Sequence, residues 1–242
     1  VRNERSQILL FGFGRAHDEL AGRIVVLGYR TLRAAQVEDA LDLIGRQAQP
    51  VRVLAFATSA PFKNRAHDLR AMAERAGALG LRSIVSGAQP EPAEMAALKR
   101  DGVKYCLWKG FNDAELRFVL NAALYDETRG QHRPATRVPA NVVVRVKSGV
   151  GEKAGMISNL SATGAFIETQ RAGLPGGRVT LSIEFSDGVV TIPASVVFAN
   201  VPGNLQRPNA PLGMGVKFAP GAPEPAARIA KFVRERSRAY EL

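Results

Sequence analysis

Near residue 128 the hydrophobic pattern of this 242-residue chain changes period, and that change limits the fold more than any other feature. Before it, short apolar runs alternate with segments whose apolar residues recur every three or four positions. After it, apolar and polar residues alternate. ILLFG (8–12), YRTLRAA and VRVLAFATS (51–59) read as strands, the last a continuous run of the kind buried on both faces of a parallel sheet. Between them, segments 17–28, 37–47 and 64–80 have helical spacing, and the last closes on glycine, a C-terminal stop signal. LRSIVSG, PAEMAALKRDG, VKYCLW and NDAELRFVLNAALYDE continue the series. Five β-then-α units predict a parallel five-stranded sheet covered on both faces.

Beyond the helical segment 112–128, residues 137–147, 154–169, 178–185, 189–201 and 213–218 are β-rich and joined by Gly, Pro, Asn and Asp. With SDG as a hairpin signal, they predict an antiparallel barrel or sandwich. PEPAARIAKFVRERSRAYEL reads as a terminal helix, with Ile229, Phe232 and Val233 placed to cover the barrel and a solvated basic face opposite.

Composition narrows the function classes. The chain is 46% hydrophobic and 23% charged, a globular profile, and no apolar run reaches the roughly 18 residues of a membrane span. Its first residues read as a leading strand and not as a signal peptide. The one cysteine, Cys106, excludes an intramolecular disulfide framework and suits the cytoplasm. The three histidines, His17, His67 and His132, lack metal-ligand spacing, and neither a metal nor a cofactor is expected. Net charge is +11, concentrated in the second part: residues 130–242 hold 14 basic against 7 acidic side chains, and residues 1–129 hold 19 against 15. A basic segment favours anionic partners.

The first part resembles the receiver domain of two-component response regulators over roughly residues 6–127, through its length, VEDALDLI after the second strand and GVKYCLWKGF near the end. The resemblance implies an acidic metal site after the first strand and a phosphoacceptor aspartate ending the third. This chain has Gly12-Phe13-Gly14 at the first place and Ala57 at the second. Ser86 and Lys109 match the responding hydroxyl and lysine, and Gly110 replaces the usual proline. Alanine accepts no phosphoryl group, so the expectation is a pseudo-receiver. The G-x-G of GFGRAH hints at a dinucleotide turn, but the third glycine falls at His17, so a tight strand-to-helix turn is the better reading.

Two motifs in the second part bear on ligand chemistry. Arg133-Pro-Ala-Thr-Arg137 places two guanidinium forks on an arm, and Asn159-Leu-Ser161-Ala-Thr-Gly164 forms a polar turn. A guanidinium can grip a phosphate or the O6/N7 edge of guanine and stack on a purine. Asn159 and Ser161 have side chains able to bond a base or phosphate, and Gly164 permits close backbone approach. In this order, and with the closing strand GMGVKF, residues 131–240 resemble the PilZ domain, whose R-x-x-x-R and [D/N]-x-S-x-x-G motifs bind cyclic di-GMP. The resemblance implies cyclic di-GMP as ligand, with Arg133, Arg137, Asn159, Ser161 and Gly164 as its site. His132 and Asn159 stand where the family more often has a basic residue and Asp.

The predicted organisation is a pseudo-receiver over 1–128, a linker over 129–137 that carries the R-x-x-x-R arm, and a PilZ-like barrel with terminal helix over 138–242. No catalytic constellation is present in the sequence, so the expectation is a non-enzymatic receptor that relays binding to a protein partner in motility, surface behaviour or development. Two other classes compete: a DNA-binding response-regulator-like factor and a ligand-independent interaction scaffold. Against the first, no helix-turn-helix pattern follows the receiver-like part, so nucleic acid is not the expected partner.

Overall fold

The computed structural model describes residues 7–46, 50–77, 80–124, 135–149, 151–206 and 210–242. The chain divides into two compact units, Val1–Arg129 with Tyr240–Leu242, and Gly130–Ala239. In the first, strands β1 (Gln7–Phe11), β2 (Arg30–Ala34), β3 (Val51–Ala57), β4 (Arg82–Gly87) and β5 (Tyr105–Trp108) alternate with helices α1 (Arg15–Val26), α2 (Val37–Arg46), α3 (Arg65–Ala76), α4 (Pro92–Arg100) and α5 (Asp113–Leu124). All pairings are parallel and the order is β2-β1-β3-β4-β5, the doubly wound arrangement that the alternation predicts.

The period-two character of each strand divides the interior into two cores. Ile8, Leu10, Val53, Ala55, Ile84 and Leu107 face α1 and α5, where they meet Leu20, Ile24, Leu116, Val119 and Leu120. Leu9, Phe11, Leu54, Phe56, Val85 and Cys106 face the other helices, against Ala40, Ile44, Leu69, Met72 and Leu98. Helix α3 starts at Asn64, whose side chain accepts the His67 N–H at 3.2 Å, and ends on Gly77 rather than at Gly80. The described part of the helical segment predicted over 112–128 ends at Leu124.

The edge strand β5 has a neighbour that the pattern does not announce. Tyr240–Leu242 lie antiparallel beside it: Tyr105 and Glu241 form a bridge, the Cys106 N–H donates to the Tyr240 carbonyl at 3.0 Å, and the Leu242 N–H donates to the Lys104 carbonyl at 3.2 Å. Tyr240 joins the core on the α1/α5 side, while Leu242 packs against the opposite core. Three residues thus act as a short added strand, and they cover an edge that would otherwise present unpaired backbone groups. The Tyr240 hydroxyl bonds to the Glu115 carboxylate. Glu115 also accepts the Asn112 N–H at 2.8 Å, and Asn112 accepts the Glu115 N–H at 2.9 Å, a reciprocal cap at the start of α5.

The second unit is a closed barrel of six strands: β6 (Arg137–Ser148), β7 (Gly151–Ser161), β8 (Gly164–Glu168), β9 (Arg178–Phe185), β10 (Gly188–Asn200) and β11 (Gly213–Phe218). They run antiparallel in the order β10-β11-β8-β7-β6-β9. The predicted SDG turn joins β9 to β10. The stretch predicted over 154–169 is two strands that fold back at Ala162-Thr163. Inward residues Val138, Val144, Ile157, Leu160, Ala165, Ile167, Leu181 and Ile183 fill the barrel, and α6 (Pro223–Ser237) closes it with Ile229 and Val233. Phe232 packs on Phe185 with ring centroids 5.0 Å apart. Part of the basic face of α6 is structural. Arg228 donates to the Val189 and Gly188 carbonyls at 3.3 Å each and to Asp187 at 2.7 Å, which ties the helix to the β9–β10 hairpin. That hydrogen bond, followed by the charge of Arg228, holds the Asp187 carboxyl below its ordinary value. No helix of the described residues is long and apolar enough to cross a membrane.

Two outcomes follow for the first unit. Its Trp108, the only tryptophan of the chain, reports unfolding of this unit alone. Tyr240→Phe removes one bond to a buried carboxylate and is expected to lower stability by about 1–3 kcal/mol, read as a lower urea midpoint in Trp108 fluorescence. An unchanged midpoint would show that the bond contributes nothing. Burial, with a smaller contribution from Glu241, pushes the Cys106 thiol up to about 12. Alkylation by iodoacetamide at pH 8 is therefore expected to be negligible in the native protein and complete in urea, as intact-mass measurement would show.

Candidate ligand site on the barrel rim

The start of β6 meets the β7–β8 hairpin at one rim of the barrel. Arg137 pairs in register with Ser161, and Ser161 pairs with Gly164. The Arg137 Nη1 donates to the Asn159 Oδ1 at 2.8 Å, so one residue from each sequence motif is brought into direct contact. Both are half-buried. Arg133 lies outside the described residues, as do residues 129–134 of the predicted linker.

Strict alternation does not account for where Asn159 points. Ile157 and Leu160 are both fully buried in the barrel, which period two forbids for residues three apart. An extra residue resolves the conflict. On the β8 side Ile157 pairs with Ile167 and Asn159 with Phe166, so Ser158 has no counterpart. On the β6 side Ala140 and Asn141 face it, and Asn141 takes up the distortion with a φ of 51°. This double bulge reverses the parity of β7, sends Leu160 inward and turns Asn159 outward toward Arg137. Ser158 is itself buried, and its hydroxyl has no hydrogen-bond partner among the described residues.

Ser161 and Gly164 are committed to the turn. Ser161 is 1% exposed; its hydroxyl donates to the Gly164 carbonyl at 3.0 Å and accepts the Thr163 N–H at 3.3 Å. Gly164 does not use a left-handed conformation. Its need is space, because a Cβ there would sit 2.3 Å from the Val216 carbonyl oxygen on β11. The close approach expected at Gly164 is thus made by the barrel's own backbone. A residue that the motif reading did not include, Lys217, is the register partner of Gly164 on β11 and is exposed. Only the strand pairing puts it beside the rim, so no local sequence signal marks it.

The other candidate position lies in the first unit. Doubly wound sheets hold ligands outside the carboxyl ends of the strands where the order reverses, here between β1 and β3. β3 ends on Ala57, and β1 runs into Gly12-Phe13-Gly14, where Gly14, with φ of 94°, opens α1 as the expected tight turn. Ala60 and Pro61 approach Gly12, while Phe62 packs on Phe11 at 4.6 Å and on Phe56 at 5.0 Å. The buried Ser86 hydroxyl donates to the Phe56 carbonyl at 3.4 Å. Apolar packing occupies the mouth, and among the described residues no three His, Cys, Asp or Glu side chains group as metal ligands.

Residues 127–235, which include nearly all of the barrel, match the family model of the PilZ domain. No curated protein matches the chain. Among solved structures, Bacillus subtilis inhibitor of motility (MotI/DgrA) is similar at 16% identity over 45% of this chain and 52% of its own, with a TM-score of 0.37; this chain thus spans about half of its length. The PilZ domain with c-di-GMP of YcgR from Escherichia coli is similar at 16% identity, covering 45% of this chain and 94% of its own, TM-score 0.36. The Vibrio cholerae chemotaxis protein CheY4 is similar at 17% identity, covering 49% and 98%, TM-score 0.43. Each unit's architecture stands on its own strand order and pairing.

Gly164→Ala is expected to destabilise the barrel by about 1–3 kcal/mol through overpacking against β11, seen as a lower calorimetric transition for the second unit while Trp108 fluorescence keeps its midpoint. In the first unit, acetyl phosphate with magnesium is expected to leave residues 1–129 unmodified. An acid-labile adduct of one phosphoryl mass on that segment would overturn the reading of Ala57 as a lost acceptor position.

Proposed function

We propose that this protein is a cyclic di-GMP receptor whose ligand site is the barrel rim formed by Arg137, Asn159, Ser161 and Gly164, with Arg133 as the second guanidinium. The observation that carries the reading is the 2.8 Å bond between Arg137 and Asn159, because it unites the two PilZ motifs at one place within a segment that matches the PilZ model. The chemistry suits a ligand with two guanines and two phosphodiesters. Two planar forks can pair with phosphate or with the guanine O6/N7 edge, and the Asn159 amide offers both a donor and an acceptor. Arg137 is already half ordered by Asn159, so less side-chain freedom is lost when it engages an anion. Ser161 and Gly164 act through the turn: they hold the hairpin so that Asn159 and the rim backbone keep their places.

The relay to a protein partner rests on the position of the arm. Arg133 and Arg137 belong to the stretch that joins the two units in sequence, so an anion held by both would restrict it, at roughly 1–2 kcal/mol per residue fixed. A ligand that binds one arrangement of the units better than another biases an existing equilibrium. The first unit, with its acceptor position replaced by Ala57, then serves as the partner-facing surface.

Titration calorimetry tests the receptor reading. Cyclic di-GMP is expected to bind the full chain, and Arg137→Ala and Arg133→Ala are each expected to weaken binding by roughly 2–5 kcal/mol. Wild-type affinity in both variants would remove the site. Hydrogen exchange tests the relay: ligand is expected to protect residues 129–137 together with the 159–164 turn. Protection of the turn alone would leave a receptor without this switch.

A further inference from the structure

Following the strand pairings outward from the rim leads to a second basic site. Arg137 pairs with Ser161, Ser161 with Gly164, Gly164 with Lys217, Lys217 with Ser195, and Ser195 with Arg178. Directly paired residues point to the same side of a sheet, and the neighbours of these in each strand (Val138, Leu160, Ala165, Val216, Ala194 and Val179) are in the core. The row therefore runs along the outer surface, across five strand spacings of about 4.8 Å each. The stagger of the closed barrel brings its far end back to β6 beside Lys147, which pairs with Thr180 on β9.

There the outer face of β6, β9 and β10 holds an open groove of about 550 Å³. Its polar lining consists of Lys147, Ser148, Arg178, Thr180 and Ser195. Lys147 and Arg178 are exposed, and among the described residues neither has a carboxylate within ion-pair distance. The nearest acid by register, Glu152 opposite Lys147, is turned to Arg145 at 3.6 Å. Ser148 is engaged with the Gly151 carbonyl at 3.3 Å, while among the described residues the Thr180 and Ser195 hydroxyls have no hydrogen-bond partner. Two uncompensated cations and two uncommitted hydroxyls along a concave wall of this size form an anion receptacle, because the cations supply charge-assisted bonds and the hydroxyls orient them.

We infer that this groove is a second ligand site, separate from the motif-bearing rim, that takes a small phosphate-bearing anion between Lys147 and Arg178, with Thr180 and Ser195 as hydrogen-bond donors. Lys217, midway along the row, continues the positive surface between the two sites. The inference does not depend on what the rim binds.

The test is an amide-nitrogen NMR titration of the full chain with inorganic pyrophosphate, in wild type, in Lys147→Gln/Arg178→Gln and in Arg137→Ala. Saturable shifts are expected at residues 147–148, 178–180 and 195 in wild type and in Arg137→Ala. The double variant is expected to weaken them by roughly tenfold or more, as loss of two charge-assisted contacts implies. Both replaced side chains are exposed, and unchanged shifts elsewhere in its spectrum serve as the check on its fold. Shifts that fail to saturate, that persist undiminished in the double variant, or that appear only around Arg137 and Asn159 would overturn the groove. Binding of pyrophosphate at the groove in a protein that ignores cyclic di-GMP would leave this site standing and remove the receptor reading.

Discussion

One residue in β7 decides which way the rim faces. Ser158 has no counterpart on β8, and this single insertion lets Ile157 and Leu160 both enter the barrel while Asn159 turns out between them. Without it, period two would place Asn159 inside and Leu160 in water, a reversal of the whole distal half of the strand. The Arg137–Asn159 bond, the position of the hairpin and the outward row that continues to Lys217 all rest on that parity. The distortion carries a cost: Asn141 adopts a conformation that side-chain-bearing residues seldom use, and the Ser158 hydroxyl is buried without a partner among the described residues. Local strain of this kind persists where the surrounding structure over-determines it, here by ladder pairing on both sides of β7.

The period change near residue 128 made both architectures legible, because burial is periodic and periodicity survives in a linear string. The doubly wound sheet appears with its predicted order of elements, and the barrel with its terminal helix. What stayed hidden is non-local. Tyr240–Leu242 sit in sequence as the tail of a basic helix, and nothing in RSRAYEL signals that alternate side chains will join two cores of the first unit. The bulge at Ser158 is equally silent, since NLSATG reads as a polar turn with or without it. The motif names Ser161 and Gly164, but only the pairing shows how each works: Ser161 through its bonds inside the hairpin, and Gly164 through the space that β11 requires. Lys217 comes to the rim through register alone, from a strand far along the chain, and Lys147 and Arg178 come together through the pairing of β6 with β9.

Charge and geometry bear differently on the basic character of the second unit. A net excess of cations predicts attraction to anions of any kind and says nothing about place. In the barrel, cations are sorted by what holds them. Arg228 is consumed in fastening α6 to the β9–β10 hairpin, and Arg145 is shared between Glu152 and Glu184 at 3.6 and 3.4 Å. Arg137 is oriented by Asn159 and points along the rim. Among the described residues Lys147, Arg178 and Lys217 have no acidic partner; Lys217 and Arg178 lie on one outward row and Lys147 beside its far end. The basic helix that made a DNA-binding reading possible from sequence is in part a structural strap through Arg228, while Lys147, Arg178 and Lys217 lie on strands, where neighbouring side chains are held at fixed spacing.

The first unit has a different arrangement at its own candidate position. In the first unit, the crevice at the strand-order reversal is packed by Phe62 against Phe11 and Phe56, and the end of β3 carries a methyl group in place of a carboxylate. An aromatic plug of this kind adds stability through the burial that an open, charged crevice forgoes. The edge of the unit is sealed by Tyr240, and its α5 cap is shared through Glu115. In the proposed relay this unit presents a surface, and what happens outside it governs that presentation. The anionic ligands proposed for the barrel act there, on a row of side chains whose placement depends on strand register and on one extra serine.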